Sequence, residues 1–191
     1  MTFHSQTSLD GTDWQILREV LEPHGVTGLQ IGQMMPHFER IFGEKLKEII
    51  ADFDVEALAG TKELVAALHH RPDTMLGLVT GNTSHTAPIK LKAAGFDPAQ
   101  FLVGAYGSEA DDRNDLPQLA LDRAIAQARH NIAKSDVIVI GDTVADVRAA
   151  RAIEGVAVAV RTGFEDPQAL IDSKPDYLLN DLTEFLSTVA L

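Results

Sequence analysis

Residues 136–146 read Asp-Val-Ile-Val-Ile-Gly-Asp-Thr-Val-Ala-Asp, and the class of the fold can be inferred from them. The β-branched residues 137–140 follow one another without polar alternation, which is typical of a strand buried on both faces of a parallel sheet. Gly141 ends the strand, and Asp142 and Asp146 follow where a helix should begin. The stretch therefore predicts a buried strand that turns directly into a helix.

Two interpretations of the acidic residues in this stretch stay open. Ligands of open α/β sheets bind at the carboxyl ends of strands. Asp142 and Asp146 would there suit magnesium, which takes oxygen ligands and keeps waters for a phosphate. Alternatively, they form a turn and a helix N-cap, because Asp and Thr are common there for local hydrogen bonding alone.

The composition indicates one globular domain, or a domain with a small insert. The 191 residues are 45% hydrophobic and 23% charged, and the net charge of −12 argues against binding to nucleic acid or an anionic membrane. The absence of cysteine excludes a thiolate nucleophile and a cysteine zinc site. Without a membrane-spanning apolar run or a signal peptide, a soluble cytoplasmic protein is predicted.

After a polar start, residues 1–12, the chain divides into two regions with different sequence patterns. Residues 13–51 contain two helical patterns and are predicted to form a separate lobe. From residue 60 onward, strand and helix patterns alternate, which predicts a parallel α/β sheet. The second helix of the lobe carries an apolar stripe that is predicted to be a packing face rather than a cofactor site. The stripe consists of Met34, Phe38, Ile41, Phe42, Leu46, Ile49 and Ile50.

Two further polar features follow predicted strands. Thr80, Gly81 and Asn82 come after the apolar run 75–79, where a hydroxyl and backbone amides can hold phosphate oxygens. The alternative is an ordinary glycine-containing turn. Arg113 follows the next strand, and its planar guanidinium suits phosphate or a carboxylate, although an arginine in a loop is usually solvated.

Taken together, these motifs resemble the haloacid dehalogenase (HAD) superfamily of phosphohydrolases, specifically its phosphoglycolate-phosphatase-like group with a helical cap. The resemblance runs from about residue 10 to the end. It implies an α/β, Rossmann-like parallel sheet in residues 57–191 with a partial helical cap in residues 13–56. The matching segments are residues 78–82, 89–96, 104–113, 140–146 and 160–163.

The same resemblance implies roles for the site residues. Thr80, with Gly81 and Asn82, would bind the phosphoryl group, and Arg113 would neutralise its charge. Asp142 would bind magnesium directly. Asp146, the second residue of the metal motif, would support a metal-bound water or Arg113. The implied function is magnesium-dependent hydrolysis of a small phosphorylated metabolite, under a cap that excludes water.

The chain departs from the family where the nucleophile should stand. The family attacks phosphate with the first carboxylate of an Asp-x-Asp-x-Thr motif at the end of an apolar strand. The nearest string is residues 8–12, Ser-Leu-Asp-Gly-Thr, preceded by a largely polar segment. Residues 11–16 better match the segment that begins the cap helices. We therefore expect a chain that starts inside the cap, through a mis-assigned start or a truncated gene, or else a non-catalytic relative.

Two consequences follow for the chain as printed. Ser8 at the nucleophile position predicts negligible turnover, because an unactivated hydroxyl is a weak nucleophile at neutral pH. Without the first core strand, the strands ending at Val79 and Ile140 should have open edges, which predicts marginal stability and self-association.

A pseudo-enzyme that binds phosphate and metal stays an alternative. A phosphate-accepting receiver is disfavoured, since it explains neither the lobe nor the Thr-Gly-Asn loop.

Overall fold

The computed structural model describes residues 11–189. Its α-helices are α1 (Asp13–Leu21), α2 (Gly28–Ile49), α3 (Thr61–His69), α4 (Ala87–Ala93), α5 (Leu116–Ala128), α6 (Val144–Ala152), α7 (Pro167–Asp172) and α8 (Phe185–Thr188). Its strands are β1 (Gly77–Thr80), β2 (Val103–Tyr106), β3 (Ile138–Gly141), β4 (Val156–Val160) and β5 (Tyr177–Leu179). Short 3-10 turns extend several of the helices.

Residues 13–52 consist of α1, α2 and two 3-10 turns, and this segment is called the helical lobe. Both helices begin with a capping box, in which the side chain of Thr12 or Thr27 accepts a hydrogen bond from the backbone three residues on. Gly25 takes a left-handed conformation between the helices. The lobe therefore follows from local capping chemistry that is readable in the sequence.

The predicted packing face of α2 is wrong in most of its members. Four of its side chains are exposed, at 51, 40, 36 and 45% for Met34, Ile41, Phe42 and Ile49 respectively. The buried positions of α2 are instead Ile31, Met35 and Gly43. The face of α2 that contacts the rest of the molecule thus includes a glycine. A search for large apolar residues does not detect such a position.

Beyond the lobe, every strand pairing is parallel, which confirms the predicted fold class. The pairings form a two-stranded part, β1 with β2, and a three-stranded part in the order β3-β4-β5. Among residues 11–189, β1 and β3 each have a hydrogen-bonded strand on one side only. The open edges predicted at Val79 and Ile140 are therefore present within the described chain.

The prediction that β3 is buried on both faces is wrong, because all four of its residues are only half-buried. The strand with two covered faces is β4, where residues 157–160 are at most 2% exposed. Its position between β3 and β5 accounts for the difference, since an edge strand keeps one side open.

Two apolar clusters cover the opposite faces of β4. Val158 and Val160 face the larger cluster, and Ala157 and Ala159 face the smaller one beneath α6, following the two-residue period of a strand. The larger cluster also contains Leu64, Leu68, Leu179, Leu182, Phe185 and Val189. The three-stranded part is thus the best-buried region.

Across residues 11–189, no helix combines the length and apolar character that a bilayer span requires.

Candidate functional site

The turn after β3 is organised by the carboxylate of Asp146. Its Oδ2 accepts hydrogen bonds from the backbone N–H groups of Asp142 and Thr143, each at 3.1 Å, and from the Thr143 hydroxyl at 2.9 Å. Thr143 caps α6 in return by accepting from the Asp146 N–H. The N-cap interpretation of this stretch is therefore confirmed, and it leaves the metal interpretation open for Asp142.

Arg113 joins this turn from a distant part of the chain. Its Nη2 lies 3.0 Å from Oδ1 of Asp146, and the two side chains are 20 and 18% exposed. Partial burial and hydrogen bonding make this pair stronger than a typical surface ion pair. The structure thus brings together Arg113, Asp142 and Asp146, three of the predicted site residues.

The loop after β4 closes around the same turn. A Cβ atom at Gly163 would collide with the carboxylate of Asp142, so the glycine permits the close approach of the loop. Two residues later, Oε2 of Glu165 accepts a hydrogen bond of 3.2 Å from the Val144 N–H at the start of α6. Glu165 was not predicted as a site residue, although it lies only two residues after the motif at residues 160–163.

A second polar group follows β1 and forms the hydroxyl loop, residues 80–84. Thr80 Oγ1 accepts hydrogen bonds from the backbone and side-chain N–H groups of Asn82, at 3.2 and 2.9 Å. Lys90 Nζ donates to Asn82 Oδ1 at 2.5 Å. The loop is therefore a turn stabilised by hydrogen bonds between its own residues, and the ammonium group of Lys90 lies beside it. Lys90 lies in the matched segment 89–96, but its position here was not predicted.

The first turn of α1 lies across the hydroxyl loop. Oδ2 of Asp13 accepts a 2.7 Å hydrogen bond from the Thr83 N–H, while the Asp13 N–H donates to the carbonyl of Gly81 at 2.8 Å. The Trp14 N–H donates to the carbonyl of Gly107, after β2, at 3.1 Å. These contacts fix the start of the helical lobe to the carboxyl ends of β1 and β2.

The environment of Asp13 makes its carboxyl unusual. Burial raises its pKa above the ordinary aspartate value, and the hydrogen bond from Thr83 and the charge of Lys90 oppose that rise. A carboxyl with a raised pKa beside a polar loop is a candidate functional group. Asp13 was not predicted as a site residue, because an aspartate in the first turn of a helix is common for capping and dipole reasons alone.

The predicted site residues thus fall into two groups. One group surrounds Asp146 at the end of β3, and the other surrounds Thr80 at the end of β1, in the other part of the sheet. That both groups line one cleft remains a prediction, supported by the rule that such strand ends share an edge. Ser8, the residue at the nucleophile position, lies outside the described residues.

The acidic turn fits magnesium as a partial ligand set. The described part of the chain contains no group of three or more histidine, cysteine or acidic residues that could hold a metal ion. Magnesium, however, is commonly bound by one or two carboxylates together with waters and substrate phosphate. Both oxygens of Asp146 accept hydrogen bonds from donors of the chain, which suits a supporting role beside a metal rather than a direct one.

Comparison with known proteins gives a family and several phosphatases. The family model described as HAD-hydrolase-like matches residues 117–185. A phosphoglycolate phosphatase from Synechococcus elongatus is 27% identical over 186 residues, which cover 95% of this chain and 81% of that protein. Pyrophosphatase PpaX from Listeria monocytogenes is 24% identical over 74% of this chain, and the match spans 61% of its own length.

Solved structures share the fold. The crystal structure of a predicted phosphoglycolate phosphatase from Haemophilus somnus superposes with a TM-score of 0.64 at 20% identity, covering 93% of this chain and 77% of that one. At that identity, the superposition establishes the fold alone. The chain is therefore similar in sequence to HAD-like hydrolases and in fold to a predicted phosphatase, and the curated proteins that it resembles include a phosphoglycolate phosphatase and a pyrophosphatase.

Proposed function

We propose that the chain carries the phosphate site of a magnesium-dependent phosphohydrolase that acts on small phosphorylated metabolites. The observation that carries the proposal is the half-buried Arg113–Asp146 pair at the start of α6, beside Asp142. A guanidinium held in place by a carboxylate is pre-oriented for a phosphate, and it costs no reorganisation when the ligand arrives. The named curated relatives, a phosphoglycolate phosphatase and a pyrophosphatase, support the same chemistry.

Each residue of the site has a defined role in this proposal. Arg113 binds and neutralises the phosphate, and Asp146 keeps its guanidinium in place. Thr80, with Gly81 and Asn82, binds a phosphoryl oxygen. Asp142 is the direct ligand for magnesium, which supplies positive charge that the transferred phosphoryl group requires. The helical lobe excludes water from the hydroxyl loop that it touches.

One observation favours a second function, phosphate binding without turnover. The string in the printed sequence that is nearest to the Asp-x-Asp-x-Thr motif is residues 8–12, which begins with Ser8 instead of a carboxylate. A serine hydroxyl without an adjacent base is a weak nucleophile, whereas binding needs only the cation, the hydroxyl and the metal ligand. The two functions share one site and differ in whether the phosphate ester is cleaved.

Both functions are tested by measuring binding and turnover on the same preparations. Orthophosphate binding is followed by calorimetry with and without magnesium. Hydrolysis of phosphoglycolate, pyrophosphate and p-nitrophenyl phosphate is followed by phosphate release. Arg113→Ala and Asp142→Asn are compared with Asp122→Asn, an exposed control on α5. We expect magnesium-dependent binding that both site variants lose and the control retains.

Turnover by wild type that Asp142→Asn abolishes would establish the hydrolase, whereas binding without turnover would establish the second function. Absence of orthophosphate binding, or binding that persists in both site variants, would overturn the proposed site itself.

A further inference from the structure

Glu39 is a charged residue on the stripe of α2 that faces the rest of the molecule. It stands between Met35 and Gly43, both buried, and its own side chain is only 14% exposed. A carboxylate in such a position loses solvation, and the cost is offset only when hydrogen-bond donors replace the water. The burial of the Glu39 carboxylate is therefore explained by the hydrogen-bond donors around it.

Those partners come from both loops of the two-stranded part. Oε1 of Glu39 accepts hydrogen bonds from the N–H of Ser84 at 3.2 Å, from the Ser84 hydroxyl at 2.9 Å and from the Ser108 hydroxyl at 2.5 Å. Ser84 ends the hydroxyl loop, and Ser108, which is 8% exposed, follows β2. One carboxylate of the lobe thus ties together the loops after both strands.

The backbone of α2 comes close enough for this contact because position 43 is a glycine. An added Cβ atom at Gly43 would lie 3.0 Å from Cβ of His85, closer than most real contacts of that kind. His85 Nδ1 is 3.9 Å from Oε1 of Glu39, so the histidine neighbours the same carboxylate. Gly43 and Glu39, which lie one helical turn apart, together form the surface by which α2 contacts these loops.

Two consecutive amides of the hydroxyl loop are therefore held by two carboxylates of the lobe. The Thr83 N–H donates to Asp13 from α1, and the Ser84 N–H donates to Glu39 from α2. Loop conformation depends on where its backbone donors are satisfied. Anchoring both donors fixes the end of the loop that begins with Thr80.

We propose that Glu39 is a positioning residue for phosphate binding, acting through Ser84 and Ser108 on the hydroxyl loop. The proposal rests on the proposed function, since it takes residues 80–82 as part of the phosphate site. Glu39 holds the loop in its binding conformation only while the lobe is docked. Docking of the lobe and affinity for a phosphate group are consequently coupled through this one side chain.

The first test is amide hydrogen exchange measured residue by residue by NMR on the full chain. Glu39→Ala should raise the exchange rate of the Ser84 amide by at least about tenfold, the effect of losing a hydrogen bond to a charged group. Exchange at Thr83 should change by less than about twofold, because its acceptor, Asp13, is retained. Glu39→Gln keeps the Oε1 acceptor and should resemble wild type.

The second test is the calorimetric affinity for orthophosphate with magnesium. Glu39→Ala should bind about fivefold to tenfold more weakly, and Glu39→Gln should restore affinity to within about twofold of wild type. Glu44→Ala, which removes an exposed ion-pairing carboxylate on the same helix, is the control and should change neither reading. If Glu39→Ala does not fold, the double variant Ser84→Ala with Ser108→Ala removes two of the three hydrogen bonds from the other side.

Equal phosphate affinity in wild type and Glu39→Ala would overturn this proposal and leave the proposed function intact. Faster exchange at both amides with unchanged affinity would also overturn it, because the role would then be only structural. If wild type binds no orthophosphate, the proposed function fails first, and this proposal fails with it.

Discussion

The two parts of the sheet differ in what holds them. The three-stranded part has apolar clusters on both faces of β4, with side chains excluded from solvent. The two-stranded part has half-buried strand residues in β1, and its loops are held to the helical lobe by carboxylates and backbone amides. Apolar burial therefore stabilises the three-stranded part, whereas directional hydrogen bonds set the conformation of the loops in the two-stranded part.

The largest expected effect is a difference in unfolding free energy between the same substitution, Leu to Ala, made in each of the two parts. Leu179→Ala on β5 removes a side chain that is 3% exposed and should cost about 2–5 kcal/mol of unfolding free energy. Leu78→Ala on half-buried β1 should cost roughly 1 kcal/mol, because water already reaches that residue. Urea unfolding of both variants measures the two losses. Equal losses would show that the two parts are equally buried in solution.

A smaller effect is expected from a glycine at the junction of lobe and loops. A Cβ atom at Gly107 would collide with the carbonyl of Gly81, so Gly107→Ala should cost about 1–3 kcal/mol through forced backbone shifts. It should also displace the carbonyl that accepts from the Trp14 N–H.

Trp14 is the one tryptophan of the chain, so its emission reports on this junction. In Gly107→Ala, the emission should shift to the red and acrylamide should quench it more strongly. Gly28→Ala, where an added Cβ meets nothing within 4 Å, is the matched control. An unchanged spectrum in Gly107→Ala would show that the junction tolerates the shift.

The smallest expected effect is a difference in pH dependence between Asp13, whose carboxyl contacts the two-stranded part from α1, and Asp176, which precedes β5 of the three-stranded part. The raised pKa of Asp13 means that the folded state binds the proton more tightly. This group therefore lowers stability as pH rises from about 4, the ordinary aspartate value, through its folded pKa. Asp13→Asn should match wild type in acid and exceed it at neutral pH.

Asp176 should behave in the opposite way, because the Arg151 guanidinium and the Ala157 N–H lower its pKa. Its stabilisation is fully present above about pH 4 and is lost as pH falls through the lowered folded value. Asp176→Asn should therefore lose stability at neutral pH. Urea unfolding across this range checks both signs, and parallel curves for the two variants would contradict the assignment.

Features set by local chemistry were predictable from the sequence. The helical pattern that begins at residue 13 and the alternation of strands and helices after residue 60 agree with the structure, since caps and short apolar runs act over a few residues. The grouping of Arg113 with Asp146 also followed from motifs, because each lies just after a strand of a parallel sheet.

Features set by distant neighbours were not predictable in the same way. The burial of β3 depends on which strands lie beside it, and an apolar run does not contain that information. Glu39 gave no signal, because a glutamate on a helix is usually solvated and its partners lie 45 and 69 residues away. Asp13, whose partner is 70 residues away, was missed for the same reason.

The long separations of these contacts have a consequence for the order in which the protein folds. The lobe is synthesised before its partners, because the serines that donate to Glu39 are added only at positions 84 and 108. Until then, Asp13 and Glu39 remain hydrated, and α1 and α2 have no docking surface. The pairings among β3, β4 and β5 lie within residues 138–179, so that segment closes shorter loops and should assemble sooner. Lobe docking is then a late event in folding, although the lobe is made before the loops to which it docks.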